Sequence, residues 1–281
     1  MNSLNIFIIF GVTGDLANRK IFPAINALLK RNELPKNTFV IGCGRGDKKA
    51  NTFKNLDEKI SKNSEYIKVD TSILDDFKIL KKKLNSLKNK YKADKINLIS
   101  YLSTPPQSYE DIIINIIKSD INKEEYGYSR IVIEKPFGQN LNSAKKLNKL
   151  LKTGFNENQI FRIDHYLGKE TVQNILVSRY SNLVFNALWN KEHISYVEIT
   201  AAESIGIKKR GEYYDKSGAL KDMIQNHLLE LLSLIAMNDP KENSPDSIRD
   251  EKVNVLKSIK KVDYKNNIVR GQYIRSKGRK G

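Results

Sequence analysis

Four side chains able to do chemistry lie within six consecutive positions, directly after an apolar run: Asp164, His165, Tyr166 and Lys169. An imidazole, a phenol and an ammonium offer the hydrogen bonds and positive charge that hold a phosphate dianion, so the last three are candidates for an anion site. Asp164 points to the other side of the predicted strand end and is available to orient a different imidazole. The alternative, a helix start with incidental polar residues, explains any one of these side chains better than all four.

His227 is a further candidate for chemistry. It lies in a helical pattern predicted for 218–237, four residues after Met223 and four before Leu231. We predict that the buried stripe of this helix consists of Leu220, Met223, Ile224, Leu228, Leu231, Leu232 and Ile235. A histidine in such a stripe is either a satisfied core residue, which is the commoner case, or the floor of a pocket. Asp222 and Glu203 are exposed carboxylates if they have no functional role.

Two further segments point to a dinucleotide. The turn Gly11-Val12-Thr13-Gly14-Asp15-Leu16-Ala17 joins the first predicted strand to a helix, where glycines let backbone N–H groups approach a pyrophosphate. Its spacing is not G-x-G-x-x-G, so a tight structural turn is the alternative. After the second predicted strand comes Arg45, which suits the 2′-phosphate of NADP, whereas an acidic residue there would bind the ribose of NAD. Asp47 is close enough to keep NAD open.

Lys135 ends a further predicted strand within Arg130–Gly138. A cation at the carboxyl end of a buried strand lies where parallel sheets bind ligands. The following Pro136 allows a cis peptide bond. A strand that is simply stopped by proline is the alternative.

The order of predicted elements indicates an α/β fold. Strands are predicted at 5–10, 39–42, 66–69, 96–102, 131–134 and 160–163, and helices at 19–30, 75–91, 109–118 and 142–152. Such alternation is typical of a parallel sheet covered on both faces. After Asp164 the pattern changes to helices at 169–180, 220–237 and 246–260, with a long strand at 193–202 and strand character at 269–273. We expect a Rossmann-type domain at 1–164 and the start of an α+β domain at 165–281.

The composition argues against several classes of protein. The longest apolar stretch, 228–237, is shorter than the ~20 residues of a membrane span, and 1–10 lacks a basic leader, so we expect neither a membrane protein nor a secreted one. The single cysteine, Cys43, fits a reducing cytoplasm. His165, His193 and His227 are too widely spaced for a zinc signature, and no metal is expected.

The net charge of +17 raises the question of nucleic acid. In 76–91, however, the apolar residues recur at helical spacing and the lysines fall mostly on the other faces, as on a solvated helix surface. No nucleic-acid motif is present, and we expect no nucleic-acid partner. A basic field instead favours small anions, including phosphates.

Five blocks together resemble the glucose-6-phosphate dehydrogenase family: Gly11–Ala17, Tyr101–Pro106, Ile133–Gly138, Arg162–Glu170 and Asp222–Leu228. The run Arg162–Glu170 is highly specific, and the order and spacing of the blocks agree over nearly the whole chain. The resemblance implies a cytoplasmic enzyme that oxidises D-glucose 6-phosphate to 6-phospho-D-glucono-1,5-lactone with NADP, the first step of the oxidative pentose phosphate pathway.

The resemblance also implies a role for each site residue. The pyrophosphate would be held by Gly11, Thr13, Gly14, Asp15, Leu16 and Ala17, with Arg45 on the 2′-phosphate, Tyr109 lining the cofactor site and Lys135 contacting cofactor and sugar. The 6-phosphate would be bound by His165, Tyr166 and Lys169, and the sugar hydroxyls by Glu203 and Asp222. His227 would be the general base, oriented by Asp164, because an imidazole paired with a carboxylate suits removal of the C1 hydroxyl proton.

Family members continue for roughly half a domain beyond Gly271-Gln272-Tyr273. That part supplies most of a large, mostly antiparallel sheet and the usual dimer or tetramer interface, so we expect both to be incomplete here and the apolar faces of 193–202 and 220–237 to lack cover. An inactive NADP-binding remnant of the same family is the alternative to an active enzyme. A basic nucleic-acid or scaffold protein that reuses a dinucleotide fold has the least support.

Overall fold

The computed structural model describes residues 2–47, 51–125, 127–202, 206, 211–242 and 244–272. The chain forms two compact units, Met1–Ile163 and Asp164–Gly281. Asp164 therefore belongs to the second unit, although the sequence pattern placed it at the end of the first.

The first unit is built on a sheet of six parallel strands. These are β1 (Ser3–Phe10), β2 (Thr38–Gly44), β3 (Ser64–Lys68), β4 (Lys95–Leu102), β5 (Ser129–Ile133) and β6 (Ile160–Arg162). Their order is β3-β2-β1-β4-β5-β6, and every neighbouring pair is parallel. This is the doubly wound Rossmann order, whose topological switch point lies between β1 and β4. The α/β prediction is confirmed.

Helices cover both faces of this sheet. They are α1 (Phe22–Lys30), which follows a π-helical turn at Ala17–Ile21, α2 (Glu58–Ser61), α3 (Leu74–Lys90), α4 (Tyr109–Lys118) and α5 (Leu141–Leu151). Successive residues of β1 point to opposite faces: Ile8 belongs to the same core as Phe77 of α3, and Ile9 to the same core as Phe22 of α1. A strand that is buried on both sides is mostly apolar, which explains why β1 has an uninterrupted apolar run from Ile6 to Phe10.

The second unit is helical in its described residues. Its helices are α6 (Glu170–Tyr180), α7 (Leu183–Leu188), α8 (Gly211–Ala219), α9 (Leu229–Ala236) and α10 (Pro245–Ser258), with a π-helical segment, Leu220–Leu228, directly before α9. Val172, Leu234 and Met237 form its small buried core. The buried Arg179 of α6 donates hydrogen bonds to the carbonyls of Leu234, at 2.7 Å, and Met237, at 2.8 Å, and so ties α6 to the end of α9.

The strand predicted at 193–202 does not form. This segment is irregular, and Tyr196 and Val197 are exposed. A strand exists only when its backbone groups pair with a neighbouring strand, and no described segment of the second unit pairs with this one. Residues 269–272 are likewise irregular, and Tyr273 lies outside the described residues. The described part of the chain therefore shows the parallel sheet but not a large antiparallel one.

The predicted apolar stripe of 218–237 is wrong in its first half. Leu220 and Ile224 are 63% and 42% exposed, whereas Asp222 and His227 are buried. The prediction assumed 3.6 residues per turn, but a π-helix hydrogen-bonds from residue i to i+5 and so turns a different set of side chains inward. Separately, no helix among the described residues combines the length and apolar character needed to cross a bilayer.

Candidate active site

The second unit brings His227 and Asp164 into direct contact. Nδ1 of His227 lies 2.6 Å from Oδ1 of Asp164, and the two side chains are 1% and 15% exposed. A carboxylate can only accept, so the proton of this hydrogen bond belongs to Nδ1. That tautomer makes Nε2 the ring nitrogen able to accept a proton. The pair has the geometry of a general base and its orienting carboxylate.

A tight turn holds the Asp164 carboxylate in place. Oδ1 also accepts a hydrogen bond from the backbone N–H of Tyr166 at 2.9 Å. The backbone carbonyl of Asp164 accepts from Leu167 N at 3.1 Å, and that of Tyr166 accepts from Lys169 N at 3.1 Å, so the chain is folded back on itself just before α6 begins. The carboxylate is therefore oriented before any ligand arrives.

The three candidate phosphate ligands form one cluster, in which His165 and Tyr166 contact His227 and Lys169 contacts Tyr166. The Tyr166 ring stacks on the His227 ring, with centroids 4.1 Å apart and planes 14° from parallel. The exposed His165 ring stands edge-on to His227 at 4.6 Å, and Nζ of Lys169 lies 3.6 Å from the centre of the Tyr166 ring. The Tyr166 ring therefore covers the buried imidazole, with an exposed imidazole beside it and an ammonium over the ring, so an anion would be attracted to this cluster.

The same cluster offers a metal-ligand set that the sequence spacing did not indicate. One candidate ligand atom from each of Asp164, His165 and His227 lies within 4.8 Å of the other two. Only the fold makes this visible, since the two histidines are far apart in the chain. The 2.6 Å contact is that of a charge-assisted hydrogen bond, which favours acid–base chemistry over metal ligation at these atoms.

Asp222 is buried, so the alternative in which it is an exposed carboxylate without a role does not apply. It lies five residues before His227 in the π-helical segment, and the i to i+5 hydrogen bonds of that geometry place the two residues on one side of the helix. Glu203 lies outside the described residues.

In the first unit, the turn after β1 is shaped for close approach of a ligand. Gly11 has φ of +81°, and a Cβ atom there would lie 2.5 Å from the carbonyl oxygen of Ser103, so only glycine fits. Gly14 N donates to Gly11 O at 2.9 Å and closes the turn. Thr13 and Asp15 are exposed, Leu16 is half-buried and Ala17 is buried at the start of the helical turn.

Two buried hydroxyls at this edge of the sheet have no hydrogen-bond partner among the described residues: Oγ of Ser103 and Oγ1 of Thr104. They follow β4, on the other side of the topological switch point from Gly11. Buried polar atoms are normally satisfied, so they mark a place for a polar ligand. The glycine turn, the helix start and these hydroxyls fit a dinucleotide.

The remaining predicted cofactor residues lie at the same carboxyl edge of the sheet. Tyr109 is buried, its hydroxyl donates to the carbonyl of Glu134 at 3.3 Å, and burial raises its pKa. Tyr101 donates to the Glu134 carboxylate, and burial, reinforced by this hydrogen bond, raises the pKa of Tyr101. Lys135 is the second residue after β5 and is half-buried, and the Lys135–Pro136 bond is cis. Arg45 is exposed just beyond β2.

Comparison with known proteins agrees with both units. Family profiles described as "Glucose-6-phosphate dehydrogenase, NAD binding domain" and "Glucose-6-phosphate dehydrogenase, C-terminal domain" match residues 8–174 and 176–281. Glucose-6-phosphate 1-dehydrogenase of Treponema pallidum is 43% identical over 97% of this chain and 57% of that protein. The Borreliella burgdorferi protein of the same name is 45% identical over 96% and 58%. A solved structure described as glucose-6-phosphate dehydrogenase in complex with its substrate glucose-6-phosphate has a TM-score of 0.84 at 35% identity, over 93% of this chain and 57% of that one.

These matches extend through nearly all of the chain, which itself spans 57–58% of the length of these curated relatives. They include all five blocks on which the sequence resemblance was based. That resemblance is confirmed, and the chain belongs to the glucose-6-phosphate dehydrogenase family.

Proposed function

We propose that this chain oxidises D-glucose 6-phosphate to 6-phospho-D-glucono-1,5-lactone with NADP, the first step of the oxidative pentose phosphate pathway. The observation that carries the proposal is the 2.6 Å contact between His227 and Asp164. It supports the proposal because loss of a hydroxyl proton is the one step of this reaction that a protein side chain must perform. The solved relative described as a complex with glucose-6-phosphate supports the substrate.

In the proposed mechanism His227 takes the proton of the C1 hydroxyl on Nε2. The imidazolium that forms is stabilised by the Asp164 carboxylate on Nδ1, and a charge-assisted hydrogen bond of this kind contributes about 1.5–3 kcal/mol. NADP, when bound, supplies the two-electron acceptor for C1. His227 is 1% exposed, so little water competes for its hydrogen bonds.

The 6-phosphate is assigned to His165, Tyr166 and Lys169, which form one cluster next to His227. An anchor at the far end of the sugar orients C1 without changing its reactivity, and such positioning can supply several kcal/mol of rate acceleration. Asp222 is assigned to a sugar hydroxyl, as is Glu203 on the family resemblance alone. Lys135 is assigned to the sugar and the cofactor.

The cofactor is assigned to the first unit. Gly11, Thr13, Gly14, Asp15, Leu16 and Ala17 would surround the pyrophosphate, with Tyr109 lining the site and Arg45 on the 2′-phosphate. Glycine at position 11, without which the turn cannot form, and the buried Ser103 and Thr104 hydroxyls support a dinucleotide. The choice of NADP over NAD rests on Arg45, since a guanidinium matches a phosphate and an acidic residue does not.

Several broader assignments belong to the same proposal. We place NADP binding in 1–164 and the substrate site in 165–281, the latter as part of an α+β domain in which 193–202 joins a larger antiparallel sheet. A cytoplasmic location rests on the lone free thiol of Cys43. The family resemblance implies dimers or tetramers, with the usual interface largely absent from this chain, and the expectation of no nucleic-acid or membrane partner rests on the charge pattern and the length of the apolar stretches.

The test measures turnover and cofactor binding in parallel. NADPH absorbance is followed with purified chain, NADP and glucose 6-phosphate, and NADP binding is measured by calorimetry. We expect His227→Gln to abolish turnover and to bind NADP as the unchanged chain does. The matched control is His193→Gln, because His193 is an exposed histidine of the same unit that contacts only Asn190 among the described residues. Binding without turnover in the unchanged chain would refute the catalytic proposal and leave an NADP-binding protein.

A further inference from the structure

An ion pair joins the ends of β2 and β3 beside the proposed 2′-phosphate site. Nζ of Lys68 lies 2.9 Å from Oδ1 of Asp47. Both side chains are exposed, at 64% and 92%, and the pair lowers the pKa of Asp47 through hydrogen bonding and charge while raising that of Lys68. Asp47 is the acidic residue because of which NAD remained an alternative to NADP in the sequence analysis. The residue that pairs with Asp47 can therefore affect the choice of cofactor.

Three contacts fasten the loop that carries Arg45 to strand β3. Lys68, the last residue of β3, lies in register with Gly44. Val69 N donates to Gly44 O at 2.9 Å, and the Tyr66 hydroxyl donates to the carbonyl of Gly46. The Lys68–Asp47 ion pair is the third contact. The loop therefore presents Arg45, Asp47 and Lys68 at one place on the carboxyl edge of the sheet.

Among the described residues, the carboxylates that act on Arg45 and Lys68 outnumber these two cations, so removing Lys68 makes the local charge more negative. Asp70 influences Arg45, and Asp76 influences Lys68. Each of these carboxylates already accepts a backbone hydrogen bond: Asp70 from Ser72 at 3.0 Å, and Asp76 from Asp70 at 2.7 Å. Without Lys68, Asp47 would lose its ion-pair partner while remaining two residues from Arg45. The Asp47 and Asp70 carboxylates would then weaken the attraction of the Arg45 guanidinium for a phosphate dianion.

We propose that Lys68 is a second determinant of cofactor specificity: it keeps Asp47 from the ribose and acts with Arg45 as a cation for the 2′-phosphate. This inference rests on the proposed NADP-dependent function and adds a residue to it. Arg45 supplies the planar fork that matches a phosphate, and Lys68 supplies a compact charge. Asp47 is held by the ammonium instead of competing for the 2′-hydroxyl position as it would in an NAD enzyme.

The experiment measures binding, without turnover. Dissociation constants for 2′,5′-ADP, which carries the 2′-phosphate, and for 5′-AMP, which lacks it, are measured by calorimetry with the unchanged chain and with Lys68→Met. Removing one charge roughly 7 Å from a dianion in a largely aqueous site weakens binding by about tenfold. We expect that loss for 2′,5′-ADP, a change below about twofold for 5′-AMP, and a loss that shrinks as salt rises. Adding Asp47→Asn to Lys68→Met should recover part of the affinity, because the carboxylate left unpaired is then removed.

Lys62→Met is the matched control. Lys62 also forms an exposed ion pair, with Glu58 at 2.7 Å, but it precedes β3 and lies at the opposite edge of the sheet. It should leave the affinity for both nucleotides unchanged. Because exposed ion pairs add less than about 1 kcal/mol to stability, both variants should remain folded, which circular dichroism checks.

The outcomes separate this inference from the proposed function. Lys68 has no role in specificity if Lys68→Met binds 2′,5′-ADP as tightly as the unchanged chain does. The same conclusion follows if the substitution weakens the binding of 5′-AMP as much as that of 2′,5′-ADP. In both cases the proposed function stands. If the unchanged chain binds neither 2′,5′-ADP nor NADP, the proposed function is wrong and this inference is wrong with it.

Discussion

The substitution Asp164→Asn tests the proposed base most directly, because it removes a charge and keeps the shape of the side chain. In the structure a single oxygen, Oδ1, accepts from both His227 Nδ1 and the backbone N–H of Tyr166. An asparagine that turned its NH2 group toward this place would set a donor against the fixed N–H of Tyr166. We therefore expect the amide oxygen of the introduced asparagine to take the position of Oδ1, so that the histidine tautomer is kept.

The expected loss then comes from charge alone, and its size can be bounded. Changing a charge-assisted hydrogen bond to a neutral one costs about 1–1.5 kcal/mol, or roughly tenfold in rate. The direct attraction between a carboxylate and an imidazolium about 4 Å apart is about 4 kcal/mol at an effective dielectric constant of 20, or roughly 1,000-fold. We expect kcat to fall by between about 10- and 1,000-fold. KM for glucose 6-phosphate should change by less than about threefold, because the phosphate ligands are untouched.

Two measurements check this. Steady-state kinetics give kcat and KM for Asp164→Asn beside Asp250→Asn, which removes an exposed carboxylate of the same unit. Nitrogen-15 NMR of labelled histidine reports the tautomer without any need for turnover, and the Nδ1 proton of His227 should move upfield while remaining on Nδ1. A kcat within twofold of the unchanged chain would show that the carboxylate does not support the base. A switch of the proton to Nε2 would show that the argument from Tyr166 is wrong.

Three further outcomes follow from the packing. Gly11→Ala would press a methyl group against Ser103 O, and we expect a loss of about 2 kcal/mol in unfolding free energy and at least about tenfold in NADP affinity, whereas Gly46→Ala, with open space around it, should change neither. Arg179→Met removes the Arg179 hydrogen bonds to the Leu234 and Met237 carbonyls, of which Met237 keeps the longer 3.3 Å bond from the Tyr180 hydroxyl, and should lower the unfolding free energy by about 2 kcal/mol, seen as a lower Tm in calorimetry. Burial raises the pKa of the Cys43 thiol, so the unfolded chain loses this proton first and stability should fall as pH rises above about 8.5; denaturant titrations should show a shallower fall in Cys43→Ala.

The Rossmann unit was predictable because its signals are local. Each strand is an apolar run ended by a turn residue, and the helices between them repeat at 3.6 residues, as Phe77, Leu80 and Leu84 do on α3. The segment 193–202 shows the limit of such signals. Its residues favour extended backbone, but a strand also needs a neighbour, and that is a property of the fold and not of the segment.

The sequence was enough to predict most residues of the site, but not how they are arranged in space. The residue types around Asp164 suggested an anion site and an orienting carboxylate, and the structure brings His165, Tyr166, Lys169 and His227 together there. No local pattern relates His227 to a carboxylate so distant in the chain. The burial of Asp222 was missed because a helix of 3.6 residues per turn was assumed where the hydrogen bonds run from i to i+5. Lys68 was missed because only the sheet register reveals its proximity to Asp47.

Because Leu220–Leu228 is π-helical, the positions of its functional side chains are sensitive to a change in the length of this segment. Its wider turns accommodate an additional residue, so deletion of a single amino acid here would let the backbone relax into an ordinary α-helix with tighter hydrogen bonds. Such a shortened protein would gain local regularity while the imidazole and the acidic side chain one wide turn before it were rotated apart. Among sequences of this kind, a gap in this stretch should therefore mark copies that have lost catalysis but still fold.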